Sequence, residues 1–201
     1  MRATVALATA LVLLFATGCS KGNFSQRESA GKANVFRYPI ANNPTTLDPG
    51  MVQDGDTIDM LQQVYEGLVG WSEKNVPEPR VAQSWDLKNG GTSYVFHLRH
   101  GVKFHNGREV HADDFKWSIE RNCAHDFASP VASDYLNDIV GFKEFHDGNA
   151  KELTGVKVID PYTIEIDIDK PRAYFLGKLT YLCSAVLCKE AIPAGQQITT
   201  P

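Results

Sequence analysis

The sequence predicts a mixed α/β fold of the α+β kind, with antiparallel hairpins and amphipathic helices, and three observations carry that prediction. Tyr94, Phe96 and Leu98 alternate with Val95, His97 and Arg99, the period-two pattern of a strand with one buried face. Val156 and Val158, then Ile164, Ile166 and Ile168, repeat the alternation around an Asp160-Pro161 turn, with Glu165, Asp167 and Asp169 facing out. Between these runs, Asp113 and Asp114 place negative charge at a helix start, and Phe115 and Ile119 share a face at i, i+4.

At the start of the chain, Arg2 is the one charge ahead of an apolar run, Val5 to Phe15, too short to read as a bilayer span. Ala16-Thr17-Gly18-Cys19 then reads as a lipoprotein signal, so residues 1–18 would be removed and Cys19 would carry lipid. An ordinary signal peptide that happens to end near a cysteine is the alternative, because Ala16 stands where leucine is usual. Residues 19–34 are polar and aperiodic, the composition of a flexible tether.

Val35 to Ile40 reads as a first strand, ended by Asn42-Asn43-Pro44. A loop from Leu47-Asp48-Pro49-Gly50 leads into a helix whose apolar positions are Ile58, Leu61, Val64, Tyr65 and Leu68, capped by Asp56 or Thr57 and with Gly67 near its end. Trp71 to Arg80, with Pro77 and Pro79, reads as a connecting loop. After the strand at Tyr94, Gly101 breaks the run, Val102 and Phe104 resume it, and Asn106-Gly107 supplies residues that tolerate positive φ in a tight turn. Val110 is placed to staple onto Phe115 at the helix start. Val131 to Phe145 is predicted helical, with Asp147-Gly148-Asn149 a turn, and Ala173 to Leu179 forms a short helix after Lys170-Pro171.

Composition suits an exported globular protein: formal net charge is −4, 43 per cent of residues are hydrophobic, and no long basic run invites nucleic acid. With Cys19 assigned to lipid, Cys123, Cys183 and Cys188 remain, and one internal pair at most can close. Cys183 and Cys188 either bridge a small loop or are small buried residues. No G-x-S-x-G elbow, phosphate-binding glycine loop or H-E-x-x-H pair is present, so no enzyme and no cofactor is expected. Asp54, Asp56 and Asp59 lack the spacing of a calcium loop and sit where helix capping explains them. Four of the six histidines, His97, His100, His105 and His111, crowd one predicted hairpin. Ordinary outward strand, turn and cap positions account for them, and no metal ligand set is assigned.

The motifs in sequence are Thr46-Leu47-Asp48-Pro49, Tyr65-Glu66-Gly67-Leu68, the block from Ala82 to Arg121, Ala128-Ser129-Pro130, and the pair GVKVID and TIEIDID. Together they resemble the extracytoplasmic solute-binding proteins of peptide and nickel ABC importers, family 5, which includes oligopeptide- and dipeptide-binding proteins. The resemblance runs over about residues 35–193. It implies the lobes of a type II periplasmic-binding-protein fold, closing over a ligand and presenting it to permease subunits. By motif, residues 35–65 would begin domain I, 66–188 would form domain II, and 189–201 would return to domain I, stopping before domain III.

The resemblance also implies a peptide ligand held in a cleft, with Gln53, Asp54 and Gly55 lining one wall. Val131 follows Ala128-Ser129-Pro130 where some oligopeptide binders carry a ligand-reaching tyrosine. The protein is therefore expected at the periplasmic or outer face of the cell membrane, lipid-anchored, as the N-terminal portion of a receptor. An exposed apolar rim is expected at Tyr181 to Leu187 and Ile192, where the rest of domain I would pack. A nickel or metal-chelate ligand, suggested by the histidines, and a truncated structural or interaction lipoprotein are the alternatives.

Overall fold

The structure, a computed structural model, describes residues 38–192 and 196–199. Cys19, the signal segment, the tether and the first part of the expected strand at Val35 lie outside them. Residues 38–40 are not in a strand. The unit described below begins at Ile40.

Its centre is a four-stranded antiparallel sheet of β3 (Ala82–Lys88), β4 (Ser93–Leu98), β5 (Val156–Asp160) and β6 (Thr163–Asp167), in the order β3-β4-β6-β5. Phe96, Leu98, Ile164 and Ile166 are fully buried, as their alternation predicts. Val95 is buried too, although it belongs to the opposite face. Its cross-strand neighbours Asp86 and Glu165 flank it, which is how a central strand loses exposure on both sides. The register of β5 slips between Val158 and Asp160, and both Val158 and Ile159 are exposed, so the expected alternation of Val156 and Val158 holds only at Val156. Outward Glu165 and Asp167 are tied to Lys157 at 3.3 and 2.5 Å.

The long helix α2 (Ala112–Cys123) packs across β5 and β6 with Phe115 and Ile119 fully buried. Val110 and Phe115 share its core cluster. His111 holds the N-cap position, and its amide donates to Asp114 Oδ2 at 2.9 Å, so the charge at this helix start is engaged as well as dipole-favoured. Ahead of it, Gly107, with φ 88°, closes the turn at Phe104.

Several expected boundaries move, each for a tertiary reason. The first helix, α1 (Gly55–Leu61), stops well before Leu68, and Val64 is exposed. The carbonyl of Leu68 instead accepts from the amides of Arg80 and Ala82, which holds the segment extended. Asp54, rather than Asp56 or Thr57, is the N-cap, accepting from the Thr57 amide. Trp71 to Arg80 is no mere loop: β1 (Val69–Trp71) and β2 (Pro77–Pro79) pair as a short hairpin, where prolines are tolerated because an edge strand needs few donors.

Residues 131–145 divide into α3 (Ala132–Tyr135) and α4 (Phe142–His146). Between them Ile139 bridges Ile168, the Val140 amide donates to Asp167 O, and Gly141 takes φ 81°. The sheet thus recruits backbone that a continuous helix would have used. The last helix, α5 (Phe175–Lys178), sits inside its expected span.

The expected apolar rim is mostly not exposed: Leu182, Cys183, Ala185, Val186 and Leu187 are all buried, and only Tyr181 and Ile192 are half-buried. Their backbone is pinned as well, Val186 N donating to Glu66 O and Leu187 N to Ser118 Oγ at 2.9 Å. Cys123, Cys183 and Cys188 are all unbonded, so the small bridge between Cys183 and Cys188 is absent. His97 bonds Asp86 at 3.0 Å, while His100 and His111 both pack against the Tyr162 ring, with centroids 3.8 and 5.3 Å away. Among the described residues, no three His, Cys, Asp or Glu side chains are placed to hold a metal ion.

Candidate functional site

The loop from Thr45 to Gly55 is built around a buried carboxylate. Asp48 is fully buried; its Oδ1 accepts from the Gly50 amide at 2.9 Å, and its main-chain carbonyl accepts from Met51 N at 3.0 Å. These bonds wind Leu47-Asp48-Pro49-Gly50 into a tight turn, the local form that an aspartate two residues ahead of a glycine favours. Arg121 of α2 meets the same carboxylate at 2.5 and 3.2 Å. From outside the loop, Tyr65 donates to Leu47 O at 3.2 Å, Ser129 to Gly50 O at 2.6 Å, and Tyr181 to Val52 O at 2.8 Å.

This fixed loop forms one side of an open depression of about 480 Å³ lined by Thr45, Thr46, Met51, Gln53, Asp54 and Gln197. Asp54 is the one charged group in that lining. Its Oδ1 accepts from Thr57 N at 2.9 Å and its Oδ2 from Thr45 Oγ1 at 2.5 Å. The Thr45 hydroxyl first, and then the Thr57 amide, hold its carboxyl below the usual aspartate range. The wall therefore offers an ionised carboxylate, two side-chain amides, two threonines and a thioether. That set can hydrogen-bond a polar ligand, and it has no nucleophile joined to a base.

Gln53 and Asp54 thus stand together on the wall. Gly55 begins α1, exposed and outside the lining, and Val131 is buried in the core just before α3. Val131 still neighbours the loop, because Ser129, which takes its amide at 3.4 Å, also bonds Gly50. Sequence reasoning missed Arg121, Thr45, Thr46, Met51 and Gln197. A signal for Arg121 existed: Asp114, Ser118, Arg121 and Asn122 recur every three or four residues beside the apolar stripe of α2, and all are buried. Polar groups at that spacing mark a face turned toward other chain segments rather than toward water.

A second depression, of about 400 Å³, lies between Lys116, Glu152, Thr154, Val156, Lys157 and Val158. Its lysines are already spent on neighbouring carboxylates, Lys116 on Glu152 and Lys157 on Glu165 and Asp167.

The family model for bacterial extracellular solute-binding proteins, family 5, middle region, matches residues 76–196. The chain belongs to this family. Its relatives in family 5 include the periplasmic oligopeptide-binding protein of Escherichia coli, 35% identical over 161 residues, 78% of this chain and 29% of that protein. Heme-binding protein A of Haemophilus influenzae is 33% identical over 195 residues, covering 89% of this chain and 34% of its own length. Among solved structures, the Escherichia coli murein tripeptide binding protein superposes with a TM-score of 0.74 at 30% identity, over 81% of this chain and 32% of that one. The family 5 fold is thus the type II periplasmic-binding-protein fold, of which this chain carries a part. It spans about a third of the length of the curated relatives it matches. Such relatives are binding proteins, not enzymes. Among the described residues, no helix is long and apolar enough to cross a membrane.

Proposed function

We propose that this chain is the N-terminal portion of a peptide-binding subunit of an ABC importer, anchored by lipid on Cys19 and handing its ligand to membrane permease subunits. The observation that carries the reading is the polar wall of Thr45, Thr46, Met51, Gln53, Asp54 and Gln197, held rigidly on a member of family 5. Such a wall suits a ligand bound through its main chain, because amide and carboxylate groups recognise peptide N–H and C=O whatever the side chains. Within this reading, residues 35–65 and 189–201 belong to domain I and residues 66–188 to domain II, and closure against a further lobe completes the site. Gln53 and Asp54 contact the ligand directly. Gly55 lets it approach the helix start, and Val131, next to the Ser129 that bonds Gly50, borders the same wall where the resemblance places a ligand contact.

The test is thermal unfolding of the chain from Ser20, beside a form extended through the downstream reading frame, each with and without a randomised tetrapeptide mixture. A rise in midpoint with peptide in the extended form supports the reading. No rise in either form overturns it. Mass spectrometry of the membrane-extracted protein checks the anchor, with a diacylglyceryl addition at Cys19 expected.

A further inference from the structure

The wall of the depression comes from two stretches of chain far apart in sequence, residues 45–54 and Gln197, and one ion pair joins them. Arg121 Nη2 bonds Asp48 Oδ2 at 2.5 Å and also donates to Gln196 O at 2.7 Å. Asp48 Oδ2 in turn accepts from Ile198 N at 2.9 Å. The residues on either side of Gln197 are therefore the two that the pair grips. On the other stretch, Asp48 Oδ1 holds Gly50 N.

The grip is itself aimed. The Arg121 guanidinium lies 4.0 Å over the Phe127 ring, and its Nη1 also donates to Asn122 Oδ1 at 3.2 Å. Asn122 is fixed by its bond to Cys183 O at 2.6 Å. Both charges are out of water, with side-chain exposures of 5% and 0%, and Arg121 Nε is buried without a hydrogen-bond partner. A buried pair of this kind is weak evidence for stability, because desolvation offsets much of the attraction. Its geometric effect is larger: a planar fork meeting a carboxylate sets direction as well as distance.

We infer that Arg121 is a positioning residue for ligand binding: through Asp48 and the residues flanking Gln197 it sets the register between the two stretches of the wall, and touches no ligand itself. The inference rests on the peptide reading above. It predicts that ligand affinity depends on the fork shape of Arg121, and not on its charge alone.

The experiment uses the full-length protein, with the randomised tetrapeptide mixture titrated calorimetrically at a temperature where circular dichroism shows every variant folded. Arg121→Lys, Gln197→Ala and the double variant form a cycle, with Asp48→Asn as a second, volume-conserving disruption of the same pair. The expected result is about ten-fold weaker apparent affinity for Arg121→Lys. In that background, Gln197→Ala should add little, since a residue already out of register has little left to lose. Asp48→Asn should weaken affinity in the same direction. If the mixture binds the unmodified protein while Arg121→Lys binds equally well, or the two losses simply multiply, the positioning role is overturned and the peptide reading stands. If the unmodified protein binds no peptide, that reading falls and the inference with it.

Discussion

Arg108 and Asp114 meet in a two-point ion pair at 2.7 and 2.9 Å, closing the start of α2 onto the turn that precedes it. Asp114 is fully buried and also caps the His111 amide, while Arg108 reaches Glu190 at 2.8 Å. Arg108→Ala would strand a carboxylate in the core with one amide for company. We expect a loss of about 3 kcal/mol, at the low end for a broken buried pair because the Arg108 side chain is 30% exposed. Arg108→Ala/Asp114→Asn should lose less than Arg108→Ala alone, since the neutral amide removes the stranded charge. Urea unfolding midpoints of the two variants check the order.

Acid should lower the protein's stability through a set of carboxylates held below their ordinary range. Thr45 does this for Asp54, His97 for Asp86, the Gly101 amide for Glu109 and the Tyr162 amide for Asp160. In each case the unfolded chain binds the proton more readily than the folded one. The stabilisation is therefore complete above the ordinary values of 3.8 and 4.5 and is lost as pH falls through the lower folded values. Asp54→Asn keeps a competent helix cap and removes one titrating group. Its melting temperature should lie somewhat below that of the unmodified protein near neutral pH, where ionised Asp54 contributes, and the two should converge in acid as Asp54 is protonated.

How far the sequence reaches follows from which elements are local. The alternation in β4 and β6 and the spacing of Phe115 and Ile119 in α2 are set by burial on one face, and a window of a few residues contains the whole signal. The hairpin of β1 and β2 was hidden by Pro77 and Pro79, which read as breakers unless an edge position is known. Strand β3 was hidden by its exposure: it is held by pairing to β4, while Leu87 faces water. A helix across residues 131–145 fails because Val140 is bonded to Asp167 of β6 and Ile139 bridges Ile168 just beyond it, both far along the chain. At the site, Gln53 and Asp54 were legible from the motif around Asp48. Gln197 was not, because its place depends on contacts to Asp48 and Arg121 that no local pattern encodes.

Thiol labelling should sort the described cysteines by burial. Cys123 and Cys183 are fully buried, and desolvation pushes both thiols well up, which starves them of thiolate. Cys188 is partly exposed, its sulfur near Asn106 Nδ2 at 3.2 Å. In the folded protein, a maleimide should modify Cys188 and leave the other two untouched until urea unfolds the core. Native labelling of Cys123 by mass spectrometry would instead show that the C-terminal end of α2 opens on the timescale of the reaction.

Two glycines should respond in opposite directions to the same added methyl group. A Cβ on Gly155 would lie 2.7 Å from Val140 O, 2.8 Å from Val140 N and 2.8 Å from Ile139 Cγ2. Most of that is backbone, and it cannot retreat: Val140 N is bonded to Asp167 O and Val140 O to Gly155 N, both at 2.9 Å. Gly155→Ala should therefore cost about 2 kcal/mol or more, within the range for an overpacked interior. Around Gly55 nothing lies within 4 Å, and no positive φ demands a glycine there. Gly55→Ala should stabilise α1 by about 0.5 kcal/mol, by narrowing the unfolded ensemble and favouring the helix. Guanidinium unfolding of both variants measures the two signs. Peptide titration of Gly55→Ala then separates stability from binding, because a ligand that approaches the helix start closely should bind the more stable variant less tightly.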